Sequence, residues 1–163
     1  MLIEDKTTLD RVRKECRSLV TRRALAAGGA SAIPGAVAGV AADVGLLLEM
    51  LPKINRAFGL NPEQIDELDE QTRQQVFILA GNLGNAIIGK LVNEQVVLAV
   101  LKRVGTRAVT KSVTSWIPVI GSGVAAAIGF GMMKLVGNRH IEECYRIVEQ
   151  VLEERANRSA VSG

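Results

Sequence analysis

Residues 24–42 decide the fold, and they read ALAAGGASAIPGAVAGVAA. The run has no charged side chain, and Pro34 stands near its centre. Proline cannot donate a backbone hydrogen bond, clashes with the preceding helical turn, and disfavours helix at the residue before it. We therefore predict two helical arms that meet near Pro34. With its flank up to Phe58, this run forms a first helix–Pro–helix hairpin over residues 24–58.

A second uncharged run covers residues 113–133 and reads VTSWIPVIGSGVAAAIGFGMM. When the first run is shifted by 84 residues, Pro34 meets Pro118, and seven of the thirteen positions from 33 to 45 are identical. Periodic self-similarity of this kind indicates a duplicated structural unit. The sequence therefore predicts a second, similar hairpin over residues 113–136.

Small residues at four-residue steps predict close packing of these hairpins, because backbones without side chains between them can approach closely. Asp43 is the exception, since a carboxylate inside an apolar element needs a partner or exposure. For Asp43 we predict pairing with Lys134 or with a basic residue of 102–111; exposure through helix rotation is the alternative. The predicted packing residues are Pro34, Gly35, Gly39, Asp43, Pro118, Gly121, Gly123 and Gly129.

The remaining segments also have helical patterns. Apolar residues recur at three- and four-residue steps in the basic segment 1–23 and again in 139–157, which predicts amphipathic terminal helices. Asn61–Pro62 is typical of a helix start in the central segment 61–111, and Gly137–Asn138 is typical of a helix stop. No long alternating pattern suggests a strand. We expect an all-α helical bundle forming a single domain over residues 1–163.

Charge and hydropathy raise the question of a membrane. The net charge is only +3, and basic residues are interspersed with acidic ones, so nucleic acid is not an expected partner. Both uncharged runs approach the length of about 20 residues that spanning requires, but each contains proline. Three interpretations remain: two spans with cytoplasmic ends, hairpins that dip into one leaflet, or a soluble bundle. We favour membrane association, with Arg22, Arg23, Trp116 and Lys134 at the interface.

The sequence contains two hints of site chemistry, and both are weak. Residues 84–90 fit the phosphate-loop pattern GxxxxGK, but Leu91 follows where such a loop has Ser or Thr for Mg²⁺. His140 and Cys144 are four residues apart and form half a metal site, without a further histidine in the chain. We therefore predict no enzyme activity, no cofactor and no metal, with His140 at a surface or interface and both cysteines partly buried.

At its two Ile-Pro elements the chain resembles an uncharacterised bacterial helical domain family, described as membrane proteins, that accompanies or is fused to Era-like small GTPases. The resemblance covers roughly residues 20–137. In this chain Val119 follows Pro118 where the family has glycine. The residues that carry the resemblance are Arg22–Arg23, Ile33–Pro34–Gly35, Asp43, Phe58–Gly59 and Ile117–Pro118 with Gly121.

The resemblance implies a GTPase partner, which would act in trans because this chain has no GTPase domain of its own, and it transfers no catalytic residue. Together with the apolar hairpins, it predicts a non-enzymatic module that binds a membrane lipid surface and self-associates or docks such a GTPase. No secretory leader is apparent, so we expect the cytoplasmic face of the inner membrane, or the cytoplasm. The alternative is a soluble helical adaptor or oligomerisation protein.

Overall fold

The computed structural model describes residues 2–31, 36–84, 87–100, 102 and 122–161. These residues contain helices and turns but no strand, so the predicted all-α class is confirmed. The helices are α1 (Lys6–Ser31), α2 (Ala36–Phe58), α3 (Pro62–Asp66), α4 (Glu70–Asn82), α5 (residues 94–100) and α6 (Ser122–Val161).

Short polar side chains mark the starts of several helices. Asp69 accepts a hydrogen bond from the backbone N–H of Thr72 at 2.9 Å and caps α4. Asn93 accepts one from Val96 at 3.0 Å ahead of α5. The predicted helix start at Asn61–Pro62 is correct, because α3 begins at Pro62. Each such bond satisfies a backbone donor that the first helical turn leaves without a partner.

The chain divides into two compact units. Unit 1 contains Met1–Arg17, Leu51–Leu91 and Arg139–Gly163, and unit 2 contains Ser18–Met50 and Val92–Asn138. Helices α1, α2 and α6 each contribute residues to both units. The expectation of a single domain over residues 1–163 stays a prediction.

Unit 1 is built on an antiparallel pairing of α1 with α6. Lys6 pairs with Glu149, and Arg13 pairs with Glu142, so ascending positions on α1 meet descending positions on α6. Apolar side chains from all three segments of the unit are buried beneath these pairs. They include Leu9, Leu51, Ile54, Phe58, Ile65, Val76, Ile141, Ile147 and Val148.

In unit 2, three helices approach one another closely at Gly137. A β-carbon there would lie 2.7 and 2.8 Å from the two methyl carbons of Val20 on α1, and 3.0 Å from the terminal methyl of Met50 on α2. Such approaches are shorter than ordinary van der Waals contact. The absence of a side chain at Gly137 is therefore what allows α1, α2 and α6 to come together here. Other buried apolar residues of unit 2 include Ala24, Leu47, Val97, Met133 and Val136.

The predicted helix stop at Gly137–Asn138 is wrong, because α6 continues without interruption from Ser122 to Val161. Glycine inside a helix costs roughly 1 kcal/mol relative to alanine. At Gly137 that cost is offset by the close packing of Val20 and Met50. The segment predicted as a separate terminal helix over 139–157 is thus the second half of a longer one.

The two proline elements lie at the limits of the described chain. Helix α1 runs on to Ser31, beyond the predicted terminal segment 1–23, and α2 begins at Ala36. Likewise α6 begins at Ser122, shortly after the second Ile-Pro pair. Five predicted site residues lie outside the described residues, so the breaks at the prolines stay predictions: Pro34, Gly35, Trp116, Pro118 and Gly121.

The four-residue spacing of Gly81, Asn85 and Gly89 predicts that they share one helix face, but Gly81 and Gly89 are separated in the structure. Gly81 lies in α4, which ends at Asn82, whereas Gly89 lies in a turn beyond the helix with φ of 69°. Gly84 has φ of 63°. Positive φ is the region where glycine avoids the steric cost that other residues meet. Gly84 and Gly89 therefore turn the chain after the end of α4. The expectation that Gly81 and Gly89 share a helix face is wrong.

We expect Gly89→Ala to destabilise the protein by about 1–2 kcal/mol, because alanine at positive φ is strained. Its β-carbon would also lie 2.6 Å from a ring carbon of Phe77. The matched control is Gly81→Ala, which meets nothing within 4 Å and which we expect to be neutral or stabilising. Urea unfolding of both variants measures the difference. Equal stability of the two variants would contradict the assigned conformation of Gly89.

Candidate functional site

Four of the predicted packing residues lie in helices. Gly39 and Asp43 are in α2, and Gly123 and Gly129 are in α6. The side-chain surroundings at these positions are outside what the structure describes. Their close contacts and the partner of Asp43 therefore stay predictions.

Charge is distributed unevenly between the two units. Unit 1 has thirteen basic and fourteen acidic residues, whereas unit 2 has only three acidic residues: Asp43, Glu49 and Glu94. The excess positive charge of the chain thus belongs to unit 2, which is also the unit poor in charged side chains. Its seven basic residues are Arg22, Arg23, Lys102, Arg103, Arg107, Lys111 and Lys134.

The predicted interface residues in unit 2 differ in their surroundings. Arg22 is exposed on α1, whereas the neighbouring Arg23 forms an ion pair with Glu49 of α2. Lys134 is half-buried, and its Nζ lies 5.7 Å from the ring centre of Phe130, one turn earlier in α6. A lysine that lays its stem on an aromatic ring keeps its charge at the edge of an apolar surface.

Unit 2 also has exposed leucines. The relative exposure of Leu25 on α1 is 62%, that of Leu98 on α5 is 45%, and that of Leu135 on α6 is 50%. The sequence signal for Leu25 was its position three residues after Arg22, which places both on one helix side. The described part of unit 2 therefore has exposed apolar side chains as well as basic ones, and we call Arg22, Leu25, Leu98, Lys134 and Leu135 the cationic apolar set.

Among the helices of the described residues, none combines the length and the hydropathy that crossing a bilayer requires.

In unit 1, Tyr145 organises a group of charged side chains between α1 and α6. Its ring lies 4.4 Å from the Nζ of Lys6 and 4.3 Å from the guanidinium carbon of Arg13, measured to the ring centre. Its hydroxyl donates to Asp10 at 2.6 Å. Cation–ring contacts and a charge-assisted hydrogen bond thus hold the helices in register.

Glu142 is the acceptor of two arginines in the same network. Burial raises the pKa of the Glu142 carboxyl, but hydrogen bonds from Arg13 and Arg17 outweigh that effect and the net pKa is lowered. A lowered pKa means that the folded state favours the ionised carboxylate. The charged side chains of this cluster are paired with one another between α1 and α6.

A buried polar cluster lies deeper in unit 1. The Nε2 of His140 is 2.8 Å from Oδ1 of Asn55, and the Sγ of Cys144 is 3.7 Å from each of these two atoms. The amide nitrogen of Asn55 donates to the carbonyl of Ile87 at 3.5 Å. His140 is only 2% exposed, so the prediction that it lies at a surface or interface is wrong.

Burial governs the titration of this cluster. It lowers the pKa of His140 to about 4, and it raises the pKa of the Cys144 thiol well above its ordinary value. Cys16 is also buried, which raises the pKa of its thiol to about 11. Both cysteines were expected to be partly buried and are more deeply buried than that. The sequence pointed to His140 and Cys144 by their spacing, but nothing in it singled out Asn55.

The GxxxxGK segment is not set in the context of a phosphate loop. Residues 76–79, which precede it, belong to α4, whereas a phosphate loop follows a strand. Lys90 is exposed after the turn at Gly89, and the next helix starts only at residue 94. Residues 76–79, whose apolar sequence could pass for a strand, are therefore helical.

Comparison with known proteins relates the chain to GTPases. No family model and no solved structure matches it. It is similar to interferon-inducible GTPase 5 of Rattus norvegicus, with 32% identity over 152 residues, which is 88% of this chain and 32% of that protein. The protein of the same name from Bos taurus is 32% identical over 144 residues, 83% of this chain and 30% of that protein.

The chain thus spans about a third of the length of these curated relatives. The similarity lends no particular support to the bacterial membrane-domain family, and that resemblance stays a prediction.

Proposed function

We propose that this chain is a non-catalytic helical module that works with a GTPase and docks on an anionic membrane surface through unit 2. The observation that carries the proposal is the charge partition, in which unit 2 contains seven basic residues and only three acidic ones. The partner GTPase would act in trans or belong to another part of a longer chain.

Two findings support the link to a GTPase without nucleotide binding by this chain. The relatives are named GTPases, and the chain aligns with about a third of their length. In addition, the GxxxxGK segment lacks the following Ser or Thr and comes after a helix. We therefore assign the chain to a helical part distinct from the nucleotide site.

The cationic apolar set supports the membrane part of the proposal. Basic residues near an anionic leaflet contribute about 1 kcal/mol each, and the attraction falls off within a Debye length. Exposed leucines add the free energy of burying apolar surface among lipid chains. Arg22 and Lys134 provide the charge, while Leu25 and Leu135 provide the apolar area. This mode of binding needs no spanning helix.

A soluble adaptor that self-associates is the second candidate, and the exposed leucines of unit 2 favour it. Apolar side chains on a surface serve protein partners as well as lipids. The two candidates differ in what the basic residues do. Only an anionic surface makes binding depend on Arg22 and Lys134 and on salt.

The test is sedimentation with vesicles of phosphatidylcholine alone or mixed with phosphatidylserine. We expect binding to the mixed vesicles only, weakening as salt is added. The double variant Arg22→Gln/Lys134→Gln should bind about 25-fold more weakly, since each neutralised charge costs about fivefold. Both substitutions keep a long polar stem, so the fold should be retained.

Matched leucine variants distinguish vesicle binding through unit 2 from nonspecific binding by any exposed leucine. Leu135→Asp should reduce vesicle binding, whereas Leu91→Asp in unit 1 should not, although Leu91 is 76% exposed. Equal binding to neutral and anionic vesicles would overturn the proposal. A stable oligomer that ignores vesicles would instead establish the adaptor.

A further inference from the structure

We propose that an exposed apolar face of unit 1 binds unit 2 of a second copy of this chain, so that the copies associate head to tail. The unit 1 apolar face consists of Phe77 and Ile78 on α4 and of Leu91 beyond the turn at Gly89. Its occupant is the cationic apolar set of the second copy. This contact is a second use of that set, and it forms without lipid.

The three side chains of the unit 1 apolar face belong to one patch. Phe77 is 46% exposed and Ile78 is 62% exposed. A β-carbon at Gly89 would lie 2.6 Å from a ring carbon of Phe77, so the turn that leads to Leu91 packs against this ring. On the same side of α4, a β-carbon at Gly81 would meet nothing within 4 Å. The described chain leaves this side of α4 uncovered, and large apolar side chains clustered on a surface mark a site of protein contact.

The charges around this face are mainly negative. Residues 62–91 have five acidic side chains and only two basic ones, one of which is Lys90 in the turn. Helix α3 lies beside the face, because Cδ1 of Ile65 is 3.4 Å from the same β-carbon position in the turn. Glu63 and Asp66 of α3 are exposed, and neither forms an ion pair within the described part of the chain. The complementary partner surface is therefore both apolar and basic.

Unit 2 provides such a surface. It has seven basic and only three acidic residues, and the cationic apolar set contains three exposed leucines. Within this unit, Val20 of α1 packs against Gly137 of α6. Arg22 lies two residues beyond that contact on α1, and Leu135 lies two residues before it on α6. Because the helices run antiparallel, this basic and this apolar residue lie at the same level along the helix pair.

Charge favours the pairing of unit 1 with unit 2 over the pairing of like units. Two unit 1 faces would bring their acidic surroundings together, and two copies of unit 2 would bring their basic residues together, which is repulsive in both cases. A contact between two different surfaces leaves one of each free at the ends, so the assembly is open. Three exposed side chains offer roughly 300 Å², well below the roughly 800 Å² per partner of stable complexes, so we expect a dissociation constant on the order of 100 μM.

The experiment is analytical ultracentrifugation of the full chain without lipid, at concentrations around the expected dissociation constant. We expect reversible association of the wild type that weakens as salt is added, because the two surfaces have opposite charge. The unit 1 variant Ile78→Asp/Leu91→Asp and the unit 2 variant Arg22→Glu/Leu135→Asp should each associate about tenfold more weakly, or less. All four substituted side chains are exposed, so both variants should keep the fold.

An equimolar mixture of the two variants is the matched control. Unit 2 is intact in the first variant and unit 1 in the second, so the mixture should form dimers with wild-type affinity but no larger species. Recovery on mixing also shows that both variants are folded. A wild type that stays monomeric, association that salt does not weaken, or folded variants that do not recover on mixing would overturn the proposal.

The same variants separate this contact from lipid binding. Ile78→Asp/Leu91→Asp leaves unit 2 intact and should bind anionic vesicles as the wild type does. Loss of vesicle binding with head-to-tail association preserved would defeat the membrane proposal alone. Vesicle binding by a wild type that never self-associates would defeat the head-to-tail contact alone.

Discussion

The protein should lose about 2–3 kcal/mol of stability between pH 6.5 and pH 4.5 because of His140 alone. Burial lowers the pKa of His140 from 6.5 to about 4 in the folded state. The neutral ring is therefore favoured by folding, and this contribution is complete above the unfolded pKa. As the pH falls towards the folded pKa, the unfolded chain takes up a proton that the folded one resists, and stability declines.

The composition of the chain helps to assign the pH dependence of stability in this range to His140. His140 is the sole histidine in the sequence. Its polar neighbours in the cluster are Asn55, which does not titrate, and Cys144, whose thiol stays protonated throughout this range because its pKa is raised. The carboxyls of Asp5, Asp69, Glu70 and Glu142 have lowered pKa values, so most of their contribution to stability is lost at lower pH.

Urea unfolding at half-unit pH steps measures the effect. The control is His140→Gln, which removes the titrating group and keeps a polar side chain near Asn55. We expect the two stability curves to converge by about 2–3 kcal/mol as the pH falls through the window. Parallel curves would mean that His140 is not buried in its neutral form.

Gly137→Ala should destabilise the protein by about 1–3 kcal/mol, although alanine is the better helix former. The added β-carbon would lie within 3.0 Å of Val20 and Met50. Because valine is restricted at χ1, its methyl groups cannot simply rotate away. The helices must therefore separate, and the buried contacts between them weaken.

Gly131→Ala in the same helix is the matched control. Gly131 is exposed, and a β-carbon there would meet nothing within 4 Å. We expect this variant to be stabilised by up to about 1 kcal/mol. Thermal and urea unfolding of the pair should differ by about 2–4 kcal/mol in total. Two variants of equal stability would show that α1, α2 and α6 do not meet at Gly137.

Local sequence signals predicted the parts of the fold that depend on neighbouring residues. The all-α class followed from helical spacing of apolar residues and the absence of alternation. The start of α3 followed from Asn61–Pro62, because capping and proline preference act within one turn. The basic residues of unit 2 were visible as well, since Arg22 and Lys134 flank uncharged runs.

Signals based on glycine were less informative, because glycine has two opposite uses. At Gly89 it turns the chain at positive φ, whereas at Gly137 it lies inside a long helix for close packing. Spacing alone placed Gly89 on a helix face and made Gly137 a stop. The outcome at each site depends on which distant side chains approach it, such as Val20 and Met50 at Gly137.

By itself, then, the sequence determined the helical class and the local helix start at Asn61–Pro62. Only the tertiary structure decided that α6 continues past Gly137, that His140 is buried, and that Asn55 joins it from another helix. The physical reason is the range of the interactions. Propensity and capping act over a few residues, whereas desolvation and close packing depend on partners 85 or more positions away along the chain.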